Sequence, residues 1–222
     1  GRQNIMIISK QKNLDEILKA IKDNNSFFLV GCSECASLCG TGDEAALEDM
    51  KKKLEEKGKK VTGYFVAKTG CQVLGTKVEL KKFKNEVEGA EALIIMSCGA
   101  GVQAAVEIFK DKPVYTANDT LFLGNMTRFR VFDERCSLCG ECIINETGGI
   151  CPVTNCPKGL LNGPCGGMNN GKCEVDREKD CVWVRIYNRL NDLKRLDLIE
   201  EIAEPKDYGK HTKPSALTSK KD

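Results

Sequence analysis

The chain has 222 residues, enough for one full domain with an appendage or for two modest domains. Its 41% hydrophobic and 30% charged residues fit a globular protein, and a formal net charge of +2 gives no reason to expect nucleic acid or an anionic membrane as partner. The longest apolar cluster, Ala92 to Met96, falls far short of the ~20 residues a spanning helix needs, so no membrane span is expected.

The opening, GRQNIMIISKQKNLDEI, lacks the basic-then-apolar layout of a secretory signal. A cytosolic protein is expected, with Met6 a candidate start and residues 1–5 an extension. LDEILKAIKD places Leu14, Ile17, Leu18 and Ile21 on one helical face. SFFLVG, Ser26 to Gly31, is a short apolar run ending in glycine and suits a buried parallel strand. A cysteine-rich loop follows, then a helix through DEAALEDMKKKLEEKGKK with Leu47, Met50 and Leu54 inward and a Lys/Glu-rich solvated face outward. VTGYFVAKTG is the second strand. A helical KKFKNEVEG leads to the third strand in EALIIMSCGAG, GVQAAVEIFKDK is another helix, and PVYTAN is the fourth strand. This order predicts an α/β fold: an open, mostly parallel sheet with helices on both faces.

Composition changes near Arg128. The expected organisation is an α/β domain over 1–128, a cysteine-rich module over 129–182, an amphipathic helix over 183–204 and a disordered tail over 205–222. The helix stripe comprises Trp183, Ile186, Tyr187, Leu190, Leu193 and Leu196. It either packs on the protein's own core or docks a partner chain, with Trp183 the residue to test.

Thirteen cysteines are the feature that has to be explained. An odd count with C-x2-C spacings suits a disulfide framework poorly. The only histidine, His211, lies in the polar tail, which leaves little room for mixed Cys/His zinc sites or histidine acid–base chemistry. Thiolate coordination is the favoured reading. Cys32, Cys35 and Cys39 form a C-x2-C-x3-C array after the first strand, Cys71 follows the second and Cys98 the third. In a parallel sheet all five lie at the carboxyl edge, where open α/β folds place ligands. The alternative is that Cys71 and Cys98 are merely buried strand-end cysteines. CGTG and CGAG are not a full G-x-G-x-x-G, so a nucleotide or flavin site in this domain is a weak reading.

The second group is Cys136, Cys139, Cys142, Cys151, Cys156, Cys165, Cys173 and Cys181, in a Gly/Pro-rich stretch with little apolar periodicity. Metal centres are expected to supply its order. C-x2-C-x2-C opens a bacterial ferredoxin run, but the next Cys-Pro pair, Cys151-Pro152, comes after eight intervening residues rather than three. Eight thiolates make two four-ligand sites, and several partitions fit. One takes Cys136, Cys139, Cys142 and Cys156, leaving Cys151, Cys165, Cys173 and Cys181. The three-cysteine opening and the Cys-Pro pairs favour an iron–sulfur centre in at least one site, with zinc the competitor.

CSLCGECIINETGGICPVTNCPKGLLNGPCGG, with GKCEV and CVWVRIYNRL after it, resembles the iron–sulfur (MetV) subunit of the methylenetetrahydrofolate reductase complexes of acetogenic bacteria. VGCSECASLCGTGDE and SCGAGVQ resemble that family's first domain. The resemblance implies an electron-transfer subunit carrying two or more [4Fe–4S] clusters. They would serve a flavin-containing (FMN or FAD) catalytic partner, MetF, that reduces 5,10-methylenetetrahydrofolate to 5-methyltetrahydrofolate in the acetyl-CoA (Wood–Ljungdahl) pathway. Ferredoxin or a further electron-transfer subunit would be the upstream donor. By position, Cys32, Cys35, Cys39 and Cys98 carry the first family motif, with Cys71 an addition, and Cys136 through Cys181 carry the second.

The residues themselves agree with a non-catalytic relay, since no nucleophile–base pair, paired carboxylates or cofactor fingerprint is evident. Two other expectations compete. One is a colourless zinc scaffold that docks a one-carbon or corrinoid methyl-transfer protein; the other, weaker, is a self-contained flavoenzyme.

Overall fold

The protein is described from a computed structural model covering residues 6–218. The extension considered for residues 1–5 therefore lies outside the described residues. The chain forms two units, residues 1–133 and 134–222.

In the first unit a four-stranded sheet is built from β2 (Ser26–Cys32), β3 (Lys60–Ala67), β4 (Ala92–Met96) and β5 (Val114–Thr116). Its order is β3-β2-β4-β5, with parallel pairing throughout. The continuous apolar runs of β2 and β4 follow from this position, because both strands are covered on both faces. On one face Ile17 and Ile21 of α1 (Leu14–Ala20) and its end pack with Leu47, Met50 and Leu54 against Phe27, Leu29 and Ile94. The other face buries Phe28, Val30, Leu93 and Ile95 under Leu80, Val87 and Ala105.

The helices obey their local sequence. After the short α2 (Cys35–Leu38), α3 (Glu44–Glu56) begins at Asp43, whose carboxylate accepts from the Ala46 N–H at 2.8 Å. Its outer face carries the Lys53–Asp49 pair at 2.6 Å, as a solvated surface should. Next come α4 (Val73–Leu80), α5 (Lys84–Glu88) and α6 (Gly99–Ile108).

The α/β expectation is met, with helices on both faces of a parallel sheet. The structure adds a second sheet that the sequence reading did not foresee. Here β1 (Met6–Gln11) pairs antiparallel with β6 (Asn118–Arg128), from Met6 opposite Gly124 to Gln11 opposite Asn118, and β7 (Val131–Cys136) completes the order β1-β6-β7. The composition change at Arg128 is thus the tip of the β6–β7 hairpin, and the division falls after Asp133.

The second unit has little regular structure: the one-turn α7 (Pro152–Asn155), α8 (Val182–Asp192), and 3-10 turns at Leu196–Ile199 and Tyr208–Lys210. Its apolar core is small: Val182, Trp183, Ile186 and Leu190 with Cys181. Here α8 belongs with the cysteine module and is not a separate helix over 183–204. It stops at Asp192, and Lys194 takes a left-handed φ of 55° that turns the chain into the 3-10 segment. Trp183 is buried in this core while Tyr187 and Leu193 are exposed, so the front of the stripe packs internally.

Candidate metal centres

The strand order fixes where the first cysteines meet. From β2 the chain crosses to β3 on one side and then returns to β4 on the other, so the carboxyl ends of β2 and β4 form the point where the winding reverses. Open parallel sheets leave a crevice there. Cys32 is the last residue of β2, and Cys98 caps the N-terminus of α6 just beyond β4; both are buried. Cys71 comes from the loop after β3, whose Gly70 N–H donates to Cys32 Sγ at 3.3 Å. Burial raises the Cys35 thiol above its ordinary value, a hydrogen bond from the Ile7 main chain works against this, and Cys98 and Cys32 push it up further. The Cys71 thiol is raised in the same way, first by burial and then by Cys98 and Cys32. Cys32 and Cys98 thus lie near enough to act on both Cys35 and Cys71. Cys39 ends α2 with its Sγ 4.0 Å from the Ile7 carbonyl oxygen.

Close backbone packing shapes this loop. The Gly42 carbonyl accepts from the Cys32 N–H at 3.0 Å, bringing the cysteine loop back against its own strand. A Cβ at Gly31 would collide with that carbonyl oxygen and approach Leu47 Cδ1 to 2.8 Å; one at Gly42 would collide with the Met96 carbonyl oxygen and reach Ala36 Cβ at 2.6 Å. Asn118, 4% exposed, ties the two strand ends together: its Nδ2 donates to the Thr41 carbonyl at 3.1 Å and the Ser97 carbonyl at 3.4 Å. Arg130 brings a cation toward the loop, its guanidinium 3.6 Å from where a Gly40 Cβ would stand. In the CGAG segment the Gly99 N–H donates to Thr120 Oγ1 at 2.8 Å.

In the second unit the eight cysteines separate into two sets. Cys156, Cys165, Cys173 and Cys181 line one cavity whose walls include Pro164, Met168, Val175 and Trp183. Trp183 Nε1 donates to the Leu160 carbonyl at 2.9 Å, pinning α8 to the loop between Cys156 and Cys165. Ser137 Oγ lies 2.8 Å from Thr154 Oγ1, and Cys151 Sγ lies 3.7 Å from that same hydroxyl, which brings Cys151 beside the C-x2-C-x2-C loop of Cys136, Cys139 and Cys142. This division exchanges Cys151 and Cys156 relative to the partition written out from the sequence. One-turn α7 separates the two residues and sends them to opposite sets.

Lys206 had no sequence signal and was placed in a tail expected to be disordered. It is 8% exposed, and its Nζ donates to Cys139 Sγ at 2.8 Å and to the Glu141 carbonyl. The ammonium holds the Cys139 thiol below the ordinary cysteine value. Burial works against the lysine's charge, but the Cys139 sulfur and Glu141 outweigh it, so Lys206 stays above the ordinary lysine value. Residues 219–222 of that tail lie outside the described residues.

Among the described residues no three His, Cys, Asp or Glu side chains stand together as a ready metal-binding group. What the fold supplies is neighbourhood: Cys32 and Cys98 at the switch point with Cys71 and Cys35 near them, Cys156, Cys165, Cys173 and Cys181 around one cavity, and Cys151 beside the three-cysteine loop. Sets of four sulfurs with no histidine suit [4Fe–4S] or zinc chemistry, with Cys32, Cys35, Cys71 and Cys98, or Cys156, Cys165, Cys173 and Cys181, as candidate ligands. No helix among the described residues is long and apolar enough to cross a membrane.

The architecture defines a class, a parallel α/β unit joined to a thiol-rich unit with little core of its own. Residues 115–209 match the family model described as methylene-tetrahydrofolate reductase C terminal, which relates this segment to methylenetetrahydrofolate reductase. No curated protein and no solved structure matches the chain.

Proposed function

We propose that the protein is the iron–sulfur, electron-transfer subunit of a methylenetetrahydrofolate reductase complex. In this role it delivers electrons to a flavin on the catalytic subunit, which reduces 5,10-methylenetetrahydrofolate to 5-methyltetrahydrofolate. The observation that carries this reading is the gathering of cysteines from three separate strand ends at the switch point of the sheet, beside a family match in the segment that holds all eight remaining cysteines. Bound there, iron–sulfur centres supply one-electron transfer with no bond making.

The chain's own residues then hold and tune. Cys32 and Cys98 are buried and keep water from one side of the first site. The Gly70 N–H on Cys32 Sγ and the Leu138 N–H on Cys136 Sγ, at 3.3 and 3.4 Å, lower the charge density at sulfur. An MTHFR catalytic component is the partner that the family match favours, and ferredoxin or another electron-transfer subunit is the donor class.

The test is iron, zinc and acid-labile sulfide content on one anaerobic preparation. About eight or more irons per chain with matching sulfide establish at least two [4Fe–4S] centres. Zinc without sulfide, in protein never exposed to air, overturns the relay and leaves a zinc-built docking subunit.

A further inference from the structure

The C-terminal segment closes on the three-cysteine loop through four separate contacts. Lys206 reaches Cys139 Sγ and the Glu141 carbonyl. The Asp207 N–H donates to Glu141 Oε2 at 2.9 Å, and Lys210 pairs with the same carboxylate. Gly140, with φ of 77°, lies so close beneath the segment that a Cβ there would meet the Lys210 carbonyl oxygen at 3.0 Å and His211 Cβ at 3.1 Å. A lysine is rarely buried without a partner of opposite charge. Here its Nζ finds the Cys139 sulfur and the Glu141 carbonyl, and the Glu141 carboxylate holds the segment that delivers the lysine.

We propose that Lys206 is a positioning residue for the centre held by Cys136, Cys139, Cys142 and Cys151, placing a fixed positive charge on one ligand sulfur and so raising that centre's reduction potential above the value it would have without it. The inference rests on the iron–sulfur reading above and goes beyond it by assigning one centre a tuning residue from the far end of the chain. The physical basis is simple. Reduction adds one negative charge to the cluster and its thiolates, and a nearby ammonium with a hydrogen bond to sulfur stabilises that added charge. Among the described contacts Lys206 donates to one sulfur, that of Cys139, so its effect falls on this centre.

The experiment uses the whole chain purified anaerobically as wild type, K206R and K206Q, with iron and sulfide content measured beside an EPR-monitored redox titration. The expected result is unchanged iron and sulfide in all three, with one midpoint moved to lower potential in K206Q, the other midpoints unmoved, and K206R close to wild type. Unmoved midpoints throughout K206Q overturn the proposal. Should K206Q lose the centre's iron, K206R decides: a full complement there supports the charge role, and equal loss overturns it. Wild-type protein with zinc and no sulfide overturns the underlying reading before any variant is compared, and the proposal with it.

Discussion

The Trp183 indole and the Leu160 carbonyl are joined by a 2.9 Å hydrogen bond between α8 and the loop that separates two cysteines of the four-thiol cavity. Trp183 is the chain's single tryptophan and is 5% exposed, so its fluorescence reports this one place. The second unit buries few large apolar side chains, and its cysteines are free thiols with no disulfide among them. Its order therefore depends on what those thiols bind. Anaerobic chelation is expected to shift Trp183 emission to the red while far-UV circular dichroism keeps the contribution of the first unit. Unshifted emission after complete metal removal would show that the module folds without metal.

Gly42 tests the first site in isolation. Its Cβ would strike the Met96 carbonyl and Ala36, and its own carbonyl holds Cys32. G42A is expected to displace the Cys32–Cys39 loop and cut iron content by about four per chain, with Trp183 fluorescence unchanged. Full iron content in G42A would mean that this loop holds no cluster.

Thiol ionisation provides a pH-dependent measurement in metal-free protein. Burial first, and then Cys98 and Cys32, hold Cys35 and Cys71 above the ordinary thiol value. A raised value leaves less thiolate at any given pH, and thiolate is the nucleophile. Iodoacetamide labelling followed by peptide mass spectrometry between about pH 7 and 10 should show both cysteines reacting only at the alkaline end. Mutating Cys98 to Ala should advance both toward neutral pH; equal labelling with and without Cys98 would show that it does not act on them.

Two substitutions separate capping from core. Asp43→Ala removes the carboxylate that accepts from Ala46 N and should cost about 1 kcal/mol. Leu54→Ala empties a fully buried position of α3 and should cost about 2–5 kcal/mol. Denaturant unfolding followed by circular dichroism checks the order, and a larger loss in D43A would contradict the packing described for α3.

Much of the first unit was legible because its patterns are strong. Phe27 to Val30 and Ala92 to Met96 read as buried parallel strands, and Leu47, Met50 and Leu54 read as one helix face. The second sheet was not legible, since Leu121, Met126 and Val131 remain exposed and give no clean alternation of buried and open positions. Helix α4 was missed for the same reason: Leu74 and Val78 face solvent, and the helix has only eight residues. For the thiols, spacing gave the candidates but not the sets, because membership turns on which side of α7 the chain leaves. Lys206 offered nothing in sequence to separate it from other lysines of a polar tail.

The closure of the C-terminal segment on the three-cysteine loop also imposes an order of biosynthesis. Lys206 lies 67 residues after Cys139. At ribosomal rates of about 5–20 residues per second, the loop emerges roughly 3 to 13 s before its counter-charge. The cysteines at the sheet's switch point and the hydrophobic layers that position them are all made earlier still. Maturation of this protein therefore runs from the sheet outward, and the ferredoxin-like loop is the last cysteine site to be completed.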